Sequence, residues 1–240
     1  MRRDHRPYYV KKWQTQWNQF YVDHFLRPQF DHLGDQPMFI KPRHMRVDGK
    51  QIHVGDFAHF IANRDAQIKL SSWSDPDHQG KILIGDYCLI CPGVRIEAAT
   101  EIRLGNGCMI AAGCYLSDAD WHDLYYRHRP VGNTRAIVLE DNVWLGDGVR
   151  VGKGVVIGQN SIIGTGAVVV DSIPANVIAV GNPAKIVKKL DPQQPSSTRA
   201  ELFRNPQKAK EEMENMNRYF LQGNSFAHWL RALVLPNHQD

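Results

Sequence analysis

The chain has no apolar run approaching the ~18 residues that a helix needs to cross a bilayer, so an integral helical membrane protein is not expected. It also lacks a dominant charge. Lysine plus arginine number 29 against 25 acidic residues, a net charge of +4. The small excess is spread along the chain. It suits an anionic ligand such as a nucleotide phosphate but falls short of a nucleic-acid footprint. The opening stretch MRRDHRPYYVKKWQ has no apolar core of the kind a signal peptide carries, and a cytoplasmic location is expected. Cysteine is scarce: Cys88, Cys91, Cys108 and Cys114. The Cys88–Cys91 spacing invites a zinc or redox reading, which the repeat register below answers more plainly. What remains is ordinary globular material, 42% hydrophobic and 22% charged over 240 residues, enough for one good core with appendages.

The organising signal is a period of six. Aliphatic residues open hexads at Ile84, Ile90 and Ile96, then at Leu104 and Ile110, then at Leu139, Leu145, Val151, Ile157, Ile163 and Val169. The fourth place is Gly or Asn in eight of the eleven: Gly93, Gly107, Gly113, Asn142, Gly148, Gly154, Asn160 and Gly166. The fifth is small or β-branched throughout, from Cys88, Val94, Thr100, Cys108 and Cys114 to Val143, Val149, Val155, Ser161, Ala167 and Ile173. Each place has a physical task. The aliphatic side chain points into a narrow triangular coil, and the small residue fills the next inward gap. Gly or Asn accepts the left-handed backbone that turns a corner. Three hexads, about eighteen residues, close one coil, and stacked coils pair short strands in parallel. The fold class is therefore β, a parallel β-helix. Cys88, Cys108 and Cys114 fall in the small inward place, where a reduced thiol is a compact hydrophobe. Cys91 has no assigned role.

Around this body, residues 1–36 read as an N-terminal helical arm, 37–190 as the β-helix domain, and 191–240 as a linker followed by C-terminal helices. Within the arm, 7–33 reads as an amphipathic helix. Its Trp13, Trp17, Phe20 and His24 are spaced to pack on the β-helix or a neighbouring subunit rather than a membrane. A weaker coil covers 47–70, with Val54, Phe60 and Ala66 keeping the six-residue step. Residues 71–81 and 117–137 are polar excursions. The sequence DPQQPSST marks the linker, and helices are expected at 207–222 and 226–234. Phe226, Trp229, Leu230 and Leu233 give the last one an apolar face suited to capping the coil or docking on another subunit.

A regular solenoid has little concave surface, and function concentrates where the repeat is interrupted. The longer excursion, SDADWHDLYYRHRPVGNTRAIV, carries Asp118, Asp120, His122, Asp123, Arg127 and His128. An imidazole beside carboxylates is what general-base chemistry requires, since a carboxylate can fix the tautomer and raise the basicity of the free nitrogen. A solvated polar loop is the competing explanation.

The runs IGDYCLICPGVRI, LEDNVWLGDGVRVGKGVVIGQNSIIGTGAVVV and SIPANVIAVGNPAKIVKKL flank that loop. Together they resemble the hexapeptide-repeat acetyltransferases, most closely the galactoside, maltose and xenobiotic O-acetyltransferases, over roughly 50–190. The resemblance implies a left-handed coil, with N- and C-terminal helical extensions here, and a homotrimer with sites between adjacent β-helices. It implies acyl transfer from acetyl-CoA or another short acyl-CoA to a hydroxyl or amine of a small-molecule or saccharide acceptor. His122 would be the general base, with Asp120, Asp123 and Arg127 toward the acceptor. Trp144, Gly146, Asp147, Gly164, Thr165 and Gly166 would line the cofactor, and Lys185 and Lys188 would meet its phosphates. Val170-Asp171 departs from the Thr-Lys pair common in relatives, which puts a phosphate contact there in doubt. No nucleophilic Ser or Cys adjoins His122, so direct attack is favoured over an acyl-enzyme. Two alternatives are a trimeric scaffold without catalysis and a γ-class carbonic anhydrase-like zinc site. The second fits poorly: His122 and His128 are six apart, and 104–116 and 139–163 contain no histidine. No metal is expected.

Overall fold

The six-residue pattern resolves into a three-sided coil whose turns stack in register. In the computed structural model, which describes residues 3–191, 193–194 and 197–238, each side of the triangle is a parallel sheet. The first sheet runs from His32–Leu33 through Ile82–Ile84 and Ile102–Leu104 to Val156–Ile157. The second runs from Met38–Ile40 through Leu89–Ile90 and Trp144–Leu145 to Val177–Val180, where Lys185–Lys189 adds the one antiparallel strand. The third runs from Met45–Asp48 through Arg95–Ala98 and Tyr115–Ser117 to Val168–Val169. The coil is a left-handed parallel β-helix. Its first strand, His32–Leu33, pairs with His53–Val54, ahead of the start at 37 that the repeat pattern suggests. Tyr21–Ala200 form one unit, and Met1–Phe20 with Glu201–Asp240 form the other.

All eleven aliphatic first positions are buried, and all eight Gly or Asn corner residues have positive φ. Leu116 extends the second block by a further hexad and is fully buried. Two positions depart from the pattern. Thr100 is exposed rather than inward. The chain carries extra residues at that corner, and Ala98 and Ile102 take the inward places. Ala66 is not a core position either. It bridges back to Asn63 in a tight turn, and the buried partner of Val47 and Ile96 in the third sheet is Leu70. Cys88, Cys108 and Cys114 are fully buried, and each Sγ lies 3.1–3.2 Å from a carbonyl oxygen of the next coil.

The corner between the first and second sheets carries a ladder of side-chain hydrogen bonds. The carboxylate of Asp56 accepts from the N–H of Asp35, Asp86 from Asp56, Asn106 from Asp86, and Asp141 from Asn106, at 2.7–2.9 Å. This satisfies backbone donors that the turn leaves outside the sheets. The glycine before each rung has a steric purpose. A Cβ on Gly105 would stand 2.5 Å from Asp141 Oδ1 and 2.7 Å from Asp141 N.

The arm differs from a single long helix. The helix α1 (Tyr8–Tyr21) passes into a π-helical turn at Val22–Leu26 and a 3-10 turn at Arg27–Gln29. Val22, Leu26 and Phe30 enter the β-helix core, whereas Trp13, Trp17 and Phe20 stack along an exposed stripe. No residue of α1 is buried, and the buried positions come in the segment that follows it. In the helical unit, α2 (Pro206–Leu221) is capped by Asn205 and α3 (Phe226–Val234) by Ser225. Both fall within a residue of the expected spans. Tyr8 donates to Glu214 at 2.5 Å, and Asn224 donates to the carbonyls of Asp4 and Arg6.

Gly105→Ala is expected to cost about 1–3 kcal/mol by forcing the neighbouring coil's backbone aside, although φ at Gly105 is not in the left-handed region. Denaturant titration checks this. An unchanged midpoint would show that the ladder yields without penalty.

Candidate active site

The long excursion leaves the third sheet after Ser117 and rejoins the first at Ile137. It is an irregular hairpin. Ala119 bridges Thr134 and His122 bridges Pro130, while backbone bonds join Asp120 to Asn133, Gly132 to Asp120 and Val131 to Trp121. Gly132 lets the two arms close on the histidine, since a Cβ there would stand 2.5 Å from the His122 carbonyl oxygen. The hairpin presents His122 on the surface with its backbone clamped.

The carboxylates around it have other employment. Asp118 is fully buried at the hairpin root, where its two oxygens accept from the N–H groups of Ala99 and Thr100 at 2.7 and 2.8 Å. Burial nevertheless raises its carboxyl above the ordinary value. Asp120 pairs with Lys153 Nζ at 2.5 Å. Asp123 accepts from the N–H groups of Tyr126 and Tyr125, which hold its carboxyl below the ordinary range. Among the described residues, none of the three makes a hydrogen bond to the His122 ring. Arg127 is exposed near the tip, and Arg129 lies 4.4 Å over the Tyr126 ring. Adjacency in sequence does not make these acids partners of the imidazole, because the backbone and Lys153 take them first.

The arrangement expected at His122 occurs instead on the shorter excursion. His78 Nδ1 lies 2.9 and 3.1 Å from the two oxygens of Asp75. The Trp73 indole N–H bonds the same carboxylate at 2.9 Å. These bonds, Trp73 foremost, pull the Asp75 carboxyl down to about 2. Sequence reasoning passed over Trp73, Asp75, His78, Gly132 and Lys153. The Asp-x-x-His spacing of Asp75 and His78 was the available signal.

The remaining candidates lie elsewhere on the triangle. Trp144 is half-exposed on the second sheet, in register with Met109 and Ile162. Gly146, Asp147 and Gly164-Thr165-Gly166 form the corner from the second sheet to the third, stacked so that the Gly166 N–H donates to the Asp147 carbonyl at 2.8 Å. Lys185 and Lys188 are exposed on the antiparallel strand. The hairpin with His122 stands at the corner from the third sheet to the first. A single chain therefore separates the histidine from Trp144 and the glycine turns. Among the described residues, no group of three or more His, Cys, Asp or Glu is placed to hold a metal ion, and no helix is long and apolar enough to cross a membrane.

This regular coil with one basic-and-acidic hairpin defines a hexapeptide-repeat protein, and residues 136–171 match the family described as bacterial transferase hexapeptide (six repeats). The chain belongs to the hexapeptide-repeat acetyltransferase family. It is similar to a galactoside O-acetyltransferase of Lactococcus lactis, 30% identical over 69% of this chain and 66% of the relative. It is similar also to a polysialic acid O-acetyltransferase of Escherichia coli, 36% identical over 45% of this chain and 36% of the relative. The chain thus spans two thirds or less of these relatives. Among solved structures, AntD, an N-acyltransferase from Bacillus cereus in complex with dTDP and 3-hydroxybutyryl-CoA, shares the fold. Its TM-score is 0.54 and its identity 17%, covering 81% of this chain and 96% of that one.

Asp118→Asn should weaken the hairpin root. An amide places a donor against one of two N–H groups, and a buried unsatisfied donor costs about 1–3 kcal/mol. A lower thermal midpoint by circular dichroism is the expected outcome. An unshifted midpoint would mean that the root does not depend on the carboxylate.

Proposed function

We propose that the protein is an acyltransferase that moves an acetyl or other short acyl group from acyl-CoA to a hydroxyl or amine of a small-molecule or saccharide acceptor. The carrying observation is the clamped, solvent-facing His122 on the longer of the two excursions from the coil. The relatives' names, a galactoside O-acetyltransferase and an N-acyltransferase bound to an acyl-CoA, support the same reaction class and both acceptor chemistries. The acceptor's O–H or N–H proton passes to the His122 imidazole as the heteroatom attacks the thioester carbonyl. Backbone N–H groups stabilise the tetrahedral oxyanion. The C–S bond then breaks, and the departing CoA thiolate takes the proton from the imidazolium.

The working unit in this reading is a homotrimer. His122 and the cofactor-lining positions occupy different corners of one triangle, so a neighbouring chain must bring them together. The faces suit such assembly. The outward column of the second sheet reads Met38, His59, Leu89, Met109, Trp144, Ile162 and Ile178. That of the third reads Arg46, Lys69, Arg95, Tyr115, Arg150 and Val168. An apolar sheet face of this length favours burial. Trp144 and the turns at Gly146-Asp147 and Gly164-Thr165-Gly166 take the thioester and pantetheine. Asp120, Asp123 and Arg127 face the acceptor, and the exposed Lys185 and Lys188 take the CoA phosphates. The location in this reading is the cytoplasm.

His122→Ala should lower turnover by about a hundredfold or more, the scale of general-base catalysis, and leave acetyl-CoA affinity nearly intact. Thiol release with a nitrophenyl β-galactoside or a dTDP-linked amino sugar as acceptor measures the first, and calorimetric titration the second. Near-wild-type turnover in folded mutant would remove His122 from this role. The double change Lys185→Ala and Lys188→Ala should weaken CoA binding by about tenfold, or 1.4 kcal/mol, and flatten its salt dependence. Unchanged affinity would free both lysines of this assignment.

A further inference from the structure

Two excursions leave the same corner of the β-helix and share one footing. The turn Ala98-Ala99-Thr100 lies between them. From one side Trp73 N–H donates to the Ala98 carbonyl at 2.7 Å. From the other, Asp118 takes the N–H groups of Ala99 and Thr100. Gly80 closes the neck of the shorter loop, since a Cβ there would stand 2.3 Å from the Ala98 carbonyl oxygen. Above this footing the loops meet edge to face, Trp73 against Trp121, with ring centroids 6.4 Å apart. Trp121 immediately precedes His122. The two loops thus form one wall.

On that wall the His78 ring is held for use. An ionised carboxylate only accepts hydrogen bonds, so Nδ1 of His78 donates to Asp75, and the other nitrogen, Nε2, lies outside that bond. Asp75 is itself fixed by the Trp73 indole and by the N–H groups of Asp77 and His78. The same Trp73 ring reaches the His122 loop. A ring oriented this way on a surface excursion has no part in the core.

We propose that the shorter excursion is the acceptor-side wall of the active site, and that His78, oriented by Asp75, is a specificity-determining residue whose Nε2 accepts a hydrogen bond from an acceptor group next to the one that reacts. This rests on the reading of His122 as the base. His122 takes the reacting proton, while His78 fixes which hydroxyl or amine is presented to it.

The test separates the two. With a nitrophenyl β-galactoside and a dTDP-linked amino sugar as acceptors, His78→Ala should raise the KM of the accepted probe by about tenfold, the loss of one well-oriented hydrogen bond. It should leave kcat and the acetyl-CoA KM within about twofold. Asp75→Ala should act in the same direction. In the wild-type protein, adding the probe should shift the nitrogen NMR resonance of His78 Nε2, which a purely structural histidine would not show and which depends on no mutant folding. An unmoved resonance, or an unchanged acceptor KM in His78→Ala beside lost turnover in His122→Ala, overturns the inference and leaves His122 as the base. A hundredfold loss of kcat in His78→Ala beside an active His122→Ala overturns both, because the base would then be His78. A wild-type protein that binds acetyl-CoA but transfers to neither probe also overturns both.

Discussion

The structure depends on the width of its core. The space inside the triangular coil admits one aliphatic side chain and one small neighbour per side, repeated at the interstrand spacing of about 4.8 Å. A polar side chain inside is fully bonded, as Ser161 is, with its hydroxyl between the Pro174 carbonyl and the Val177 N–H. Every residue beyond the six that a side requires must therefore leave the coil at a corner. Most of the surplus leaves at the corner from the third sheet to the first, where the extra residues near Thr100 and both polar excursions emerge. The excursions stack one above the other because the coils beneath them do.

That stacking joins the two excursions. The turn Ala98-Ala99-Thr100 anchors both loops through backbone groups, so the buried Asp118 and the neck glycine Gly80 fix the loops' roots without using any outward side chain. Above the roots, Trp73 and Trp121 keep the loops together. The acids divide into those that bond backbone or lysine and one that holds an imidazole. Asp118, Asp120 and Asp123 serve N–H groups and Lys153, and Asp75 serves His78. The same chemistry, a side-chain oxygen accepting from a backbone N–H, holds the ladder from Asp56 to Asp141 at another corner of the triangle.

Much of this was legible in the sequence, because a period of six with a fixed chemical task at each place leaves few alternatives. The inward aliphatics, the positive-φ corners and the buried cysteines follow from spacing alone. The two C-terminal helices follow from Asn205 and Ser225 as caps and from the apolar spacing after them. The pattern misleads where the chain inserts residues. Ala66 keeps the six-residue step yet lies in a turn, since Asn63 to Ala66 form a tight reversal and the register resumes at Leu70. Thr100 is small and β-branched yet faces out, because two inserted residues rotate it away. In the arm, Trp13, Trp17 and Phe20 carry the helical spacing yet are exposed, while Val22, Leu26 and Phe30 are buried.

The sequence by itself determined the coil, its corners and the loop in which the chemistry is sought, because those follow from local backbone preference and side-chain volume repeated at short range. The tertiary structure alone decided the partnerships. Asp120 went to Lys153 of the next coil, His78 rather than His122 received a carboxylate, and Trp73 met Trp121 across nearly fifty positions of chain. It also set His122 and Trp144 at different corners of one triangle. The physical reason is that a hydrogen bond or ring contact depends on distance in space. In a solenoid that distance is set by which coil and which corner a residue occupies, and residues about eighteen or more positions apart become neighbours only when the coils stack.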